Sequence, residues 1–146
     1  FGALALLIQV AMLHWKQLRQ PDVAEEYFRR LRKLDAAHPA MVDFYREYHK
    51  DRGEGQKLLQ VLAQAQKAEA SPERRALLAV EIASFAETEV KNPEKAIDSW
   101  KAILRQNPTN PEARASLKRL YQKTEKWNAL LELLKEEIEA LPVTDP

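Results

Sequence analysis

The residues able to do acid–base or metal chemistry are few. His14, His38 and His49 are the only histidines, and none stands in the HxxxH or HExxH spacing that sets two imidazoles on one helical face. His49 has Asp43, Glu47 and Asp51 nearby, a ligand set by residue type. Side chains two apart on a helix diverge, however, so this group reads as an exposed charged stripe rather than a metal site. His38, just before Pro39, reads as a turn residue. There is no Cys, which removes thiolate ligands, Cys nucleophiles and disulfides together. No Ser sits in a G-x-S-x-G context, and three Gly are too few for a loop that cradles phosphate. Glu136, Glu137 and Glu139 read as the outer face of a last helix. The pattern predicts no catalytic residue, no cofactor and no metal: a chain that is not an enzyme.

Charge excludes a second class. The chain has 23 Lys and Arg against 22 Asp and Glu, a net charge of +1, so no strong field draws it to nucleic acid or an anionic membrane. Its densest basic run is Arg29, Arg30, Arg32 and Lys33. Asp22, Glu25, Glu26 and Asp35 bracket that run, and Glu25–Arg29 and Glu26–Arg30 are favourable i, i+4 pairs on a helix. A solvated helix face is therefore expected there rather than the unbroken basic patch that phosphate binding wants.

The elements that would hold these residues are all helical. Ala, Leu, Glu, Lys, Gln and Arg dominate the 146 residues, and no stretch shows the alternation of a half-buried strand. Pro and Gly mark the joints, three of them with start signals: Ser71-Pro72, Asn92-Pro93 and Asn110-Pro111. Eight helices are predicted, at 3–20, 22–35, 39–52, 55–70, 72–91, 93–106, 110–124 and 127–141. The opening run FGALALLIQVAML passes straight into His14, Trp15 and Lys16 and lacks the flanks of a signal peptide. It is also shorter than the roughly 20 residues of a membrane span, so a buried helix is expected. A first residue that is Phe and not Met suggests a piece of a longer protein. A chain without Cys fits a reducing compartment such as the cytoplasm, although the compartment itself stays unknown.

The helices repeat. A slide of 72 places Ala24 on Ala96, Phe28 on Trp100, Leu31 on Ile103, Pro39 on Pro111, and Leu58, Leu59 and Leu62 on Leu130, Leu131 and Leu134. Shorter steps lie within it: 34 from Ala24 to Leu58, 38 from Leu58 to Ala96, and 34 from Ala96 to Leu130. A single amphipathic hairpin cannot bury its apolar face alone, so such units stack along an array. The expectation is one domain, 1–146, of four helix-turn-helix units at about 3–36, 37–71, 72–109 and 110–142. Ala96, Ile97, Trp100, Ile103 and Leu104 form the core stripe of one helix, and Leu130, Leu131, Leu134 and Ile138, widened by Leu133, that of another.

On these residues the chain resembles the tetratricopeptide repeat family. The clearest stretch is 91–142. Ala96, Trp100, Ile103, Leu104 and Pro108 follow the second-helix pattern A-x3-[FY]-x2-A-[LI] with its closing Pro, Ile103 replacing a small residue. Leu117 and Tyr121 fall on the first-helix Leu and Tyr. Trp127 takes the aromatic that opens the next helix, and Leu134 and Pro142 close the unit. Upstream, Trp15 matches Tyr121, Ala24 and Phe28 repeat the Ala-plus-aromatic pair, and Gly53 keeps the turn glycine. Lys118, Arg46 and Met12 stand where the family has a small residue, and Arg114 and Val42 where it has Trp, which makes the array divergent. Sel1-like repeats fit less well because they want more Gly.

The resemblance implies a right-handed α-solenoid and a protein-interaction role along its groove. Carried over by position, the groove comprises Gln9, Leu13 and Lys16; Asp43, Glu47 and Lys50; Glu81, Phe85 and Glu89; and Ala115, Arg119, Gln122 and Lys123. This lining is mixed in sign. It suits a protein or peptide partner with basic residues near Asp43 and Glu47 and acidic ones near Arg119 and Lys123. Two alternatives stand beside it: an RNA-processing scaffold of the half-a-tetratricopeptide kind, and the docking arm of a multidomain enzyme. Helix 3–20 is apolar nearly all round, so part of its surface is expected to be covered by an upstream repeat or, through self-association, by a second copy.

Overall fold

A computed structural model describes residues 2–142. Phe1, which opens the apolar run, lies outside the described residues. All regular structure among the described residues is helical, with no strand. Eight α-helices follow one another: α1 Ala3–Met12, α2 Pro21–Leu34, α3 Pro39–Asp51, α4 Gly55–Ala68, α5 Pro72–Thr88, α6 Pro93–Gln106, α7 Pro111–Lys123 and α8 Trp127–Ala140. Five begin on Pro, whose missing N–H costs nothing in a first turn. Side chains cap several starts. Asn92 Oδ1 accepts from the Lys95 N–H at 3.1 Å, Asn110 Oδ1 from Ala113 at 2.9 Å, and His38 Nδ1 from Ala40 at 3.2 Å.

The first predicted helix, 3–20, is not α-helical throughout. α1 ends at Met12 and passes into a π-helical turn, Leu13–Gln17. The Leu18 N–H bonds the Leu13 carbonyl at 2.9 Å, five residues back, and the Gln20 N–H bonds His14 at 2.7 Å, six back. Arg19 adopts the left-handed region, φ 52°, which stops the helix. The same sequence of events ends α5 three residues short of 91. Val90 bonds Phe85 at 3.1 Å, Asn92 bonds Ala86 at 2.9 Å, and Lys91 has φ 56°.

The other two turns of this rank are tighter. Glu54 bonds His49 at 2.8 Å across Gly53, φ 66°, and Lys126 bonds Tyr121 at 2.8 Å across Glu125, φ 57°. Left-handed residues thus recur at 19, 53, 91 and 125, in steps of 34, 38 and 34, and their hydrogen-bond patterns agree at 72. The connections that follow α2 and α6 also match at 72. Asp35 and Asn107 both sit in extended backbone, φ −149° and −141°, and each side chain accepts from the N–H two residues on.

The chain divides into two compact units, Phe1–Leu78 and Ala79–Pro146, with the boundary inside α5. In the first, α1 packs on α2, α2 on α3, and α3 on α4. Its core is aromatic: Phe28 and Phe44 are fully buried and stacked with ring centres 4.4 Å apart. Trp15 meets both rings edge-on at 5.8 and 5.3 Å. Ala24 has no exposed surface, as expected of a small residue where helices approach closely.

In the second unit α6 packs on α7 and α7 on α8. Ala96, Ile97 and Trp100 are buried as the stripe requires. In α8 the expectation needs correcting. Leu133 is its one buried residue among those described and lines one cleft with Leu117 and Tyr121 of α7, whereas Leu131, Leu134 and Ile138 are exposed. Periodicity marks an apolar face correctly but says nothing of whether a neighbour covers it. On α1 the expected apolar surplus is present: Leu4, Leu6 and Leu13 are exposed, as is Leu18 just beyond. No helix among the described residues is long and apolar enough to cross a membrane.

A Cβ added at Gly53 would meet nothing within 4 Å, so any penalty there is torsional. Gly53→Ala should cost about 1 kcal/mol, and Gly53→Asn, which tolerates left-handed backbone, distinctly less. Urea midpoints at unchanged slope check both values.

Candidate functional site

The first unit holds a cleft of about 370 Å³ where the end of the α1 segment faces α3. Its floor is the edge of the aromatic core. Trp15, half-buried, comes from the π-helical turn, and Phe44 and Tyr48 come from α3, one turn apart. The widened turn adds about one residue to the helical circuit, which re-aims the side chains that follow it. Pro21 starts α2 at the rim. Lys16, Arg19 and Arg52 supply positive charge, Glu47 and Asp51 negative.

The cations are not equivalent. Arg52 is held within the unit: its guanidinium lies 3.6 Å from the centre of the Tyr48 ring and reaches Asp22 Oδ1 at 2.6 Å. The Tyr48 hydroxyl donates to the same Asp22 oxygen at 3.0 Å, and burial together with that bond raises its pKa. Lys16 lies 3.8 Å above the Trp15 ring and Arg19 is exposed. On the opposite wall Glu47 and Asp51, one turn apart on α3 and both exposed, have no ion-pair partner among the described residues. Two like charges at i, i+4 repel by a few tenths of a kcal/mol. A ligand cation between them would relieve that repulsion.

Of the residues expected in a groove, the cleft therefore takes Lys16 and Glu47. Gln9, Leu13, Asp43 and Lys50 are exposed on the same two helical segments but do not line it, and Asp43 is paired with Arg46 at 2.5 Å. Trp15, Arg19, Tyr48, Asp51 and Arg52 were missed. A Tyr followed four residues later by Arg, on a helix, was the available signal for Tyr48 and Arg52.

In the second unit Glu81 and Phe85 are half-buried on α5, and Glu89 is exposed near its end. Arg119, Gln122 and Lys123 lie at the surface of α7, with Ala115 beside them. Arg119 grips Glu87 with two bonds, 2.8 and 2.7 Å, and this pairing raises its pKa further. Its charge is already answered within the unit, so of the two cations expected to receive an acidic partner Lys123 alone stands without an ion pair among the described residues. A second cleft of about 410 Å³ lies among α6, α7 and α8, where Arg114 bonds Glu136 at 3.2 Å and Lys118 bonds Glu137 at 2.6 Å.

Two sequence expectations change. His49 is buried, not part of an exposed stripe. It continues the line of Met41 and Tyr45, stacks on Tyr45 at 5.1 Å, and meets Glu54 Oε1 through Nδ1 at 3.1 Å. No group of three or more His, Asp or Glu that could hold a metal occurs among the described residues. In the basic run Arg29 pairs with Glu25 as expected, but Arg30 lies 5.8 Å over the Tyr27 ring instead of pairing with Glu26. Arg32 bonds Gln64 at 2.8 Å and lies over Tyr45.

Beneath the cleft Tyr45, fully buried, donates to Glu25 Oε2 at 2.6 Å. Burial and that bond raise the phenol pKa well above its usual value. Burial would raise Glu25 too, but the Arg29 and Tyr45 donors outweigh it and hold the carboxyl below its ordinary 4.5. A depressed native pKa gives stability that is present above the unfolded value and is lost as pH falls through the native one. The chain should therefore lose stability below about pH 4.5, and Glu25→Gln should flatten that part of the profile. Tyr45→Phe should cost about 1.5–3 kcal/mol at neutral pH, the worth of a buried bond to a charged acceptor. Urea midpoints across pH measure both effects.

The chain matches no protein-family model and no curated protein. Its likeness to tetratricopeptide repeats rests on the residues and spacings quoted above.

Proposed function

We propose that the chain is a non-catalytic interaction segment: four tetratricopeptide-like hairpins in a right-handed α-solenoid, taking a peptide or an exposed protein segment in the cleft between Trp15 and α3. What supports the repeat reading is the recurrence of left-handed turn residues at 34, 38 and 34. Turn hydrogen bonds that agree at 72 add to it.

The observation that carries the binding reading is the pair of carboxylates without an ion-pair partner among the described residues, Glu47 and Asp51, on the wall of an aromatic-floored cleft. A Lys or Arg of the partner places its charge between them and its aliphatic stem on the half-buried Trp15 and Tyr48 rings. Lys16 and Arg19, across the cleft, receive an acidic residue a few positions along. Such a site selects a mixed-charge segment by sign and spacing. Exposed ion pairs contribute only about 0.2–1 kcal/mol each, so affinity from this cleft alone is micromolar or weaker, and salt-sensitive.

Isothermal titration with a panel of synthetic peptides tests this. The panel carries a Lys or Arg and an acidic residue a few positions on, set against neutral scrambled versions. The mixed-charge peptides should bind, and Glu47→Lys with Asp51→Lys should weaken them at least tenfold. Arg119→Ala in the second unit should leave them unchanged. Equal binding of neutral peptides, or indifference to the charge reversal, would refute the reading.

A further inference from the structure

The last helix exposes an apolar seam that its own unit does not use. Trp127, Leu131, Leu134, Ile138 and Leu141 are 54, 49, 40, 65 and 52% exposed. They follow one another at intervals of 4, 3, 4 and 3, the 3.5-residue period of a helix that packs along the length of another helix. The corresponding residues of α6, thirty-four positions earlier, show what such a face does when it has a neighbour. Ile97 and Trp100, the counterparts of Leu131 and Leu134, are buried, and α7 packs on α6.

We propose that the α8 seam pairs with the α8 seam of a second copy, two-fold and antiparallel. Two features of the chain support this occupant. The seam is self-complementary in pattern, since running it in reverse keeps the 3–4 alternation and sets Leu131 of each copy on Leu134 of the other. The area also suffices: five side chains of this size, about half exposed, offer on the order of 500 Å² per copy, and a pair reaches the ~1,000 Å² at which specific interfaces begin. Glu132 lines the cleft among α6, α7 and α8, on the side of the helix away from the seam, and pairs with Lys135 of its own copy at 3.8 Å. Glu136 and Glu137, engaged with Arg114 and Lys118 of α7, stay outside the seam.

Sedimentation equilibrium of the full chain over a concentration series tests the pairing, with helicity by circular dichroism as the control for folding. The expected result is a reversible monomer–dimer equilibrium with a dissociation constant of about 10–100 µM. Leu134→Lys should weaken it at least tenfold. Ile138→Lys, at the most exposed seam position, should do the same without risk to the core. A monomer at every concentration overturns the proposal. So does association that Leu13→Glu in the π-helical turn abolishes while both seam variants leave it intact, which is the result for head-to-tail contact through the first helical segment, and so does growth beyond the dimer.

Discussion

The stacking of Phe28 on Phe44 is the contact on which the first unit depends. Phe28 lies on α2, the second helix of the first hairpin, and Phe44 on α3, the first helix of the next. Neither hairpin can hide its aromatic side chain alone, and each ring supplies the other's cover. Trp15 closes the cluster edge-on against both, which fixes where the π-helical turn sits relative to α3. Because the cleft is the exposed margin of this cluster, its walls are set by core packing and not by flexible loops. A cleft pre-formed in this way would spend little free energy on ordering itself around the proposed partner.

Charge then gives the cleft its character. Arg52 and Asp22 satisfy one another across α2 and the end of α3, and Glu25 answers Arg29 and Tyr45 beneath. What is left over at the surface is a pair of carboxylates facing Lys16 and Arg19. The second unit is arranged differently, since Arg119 is neutralised by Glu87 and Arg114 and Lys118 by glutamates of α8. Similar helical scaffolds thus leave a charged cleft at the surface of one unit and an exposed apolar seam on the other.

Much of this was legible in the residues themselves. Pro at helix starts, Asn caps and the 34–38–34 spacing fix eight helices to within a few positions, because those signals act locally. The stops were less legible. Gly53 announces a left-handed turn, but Arg19, Lys91 and Glu125 adopt the same backbone with side chains that give no hint of it. The π-helical turn after α1 follows from that hidden stop. His49 was misjudged because its charged neighbours suggested a surface, while its i, i+4, i+8 line with Met41 and Tyr45 pointed inward. The pairing of Arg119 was hidden for a different reason: its partner Glu87 is thirty-two residues away, and only folding brings the two together. The α8 stripe shows the same limit, since amphipathicity is a property of one helix and burial a property of two.

The first unit stands or falls on neighbouring hairpins sheltering one another through their aromatic rings. A double-mutant cycle with Phe28→Leu and Phe44→Leu, followed by urea denaturation, measures that shelter directly. Stacked aromatic pairs couple by about 0.5–1.5 kcal/mol beyond the area they bury, and a coupling of about 1 kcal/mol is expected here. Two substitutions whose costs simply add, to within about 0.3 kcal/mol, would mean that the hairpins do not lean on each other at this point. The cleft would then lose its physical basis.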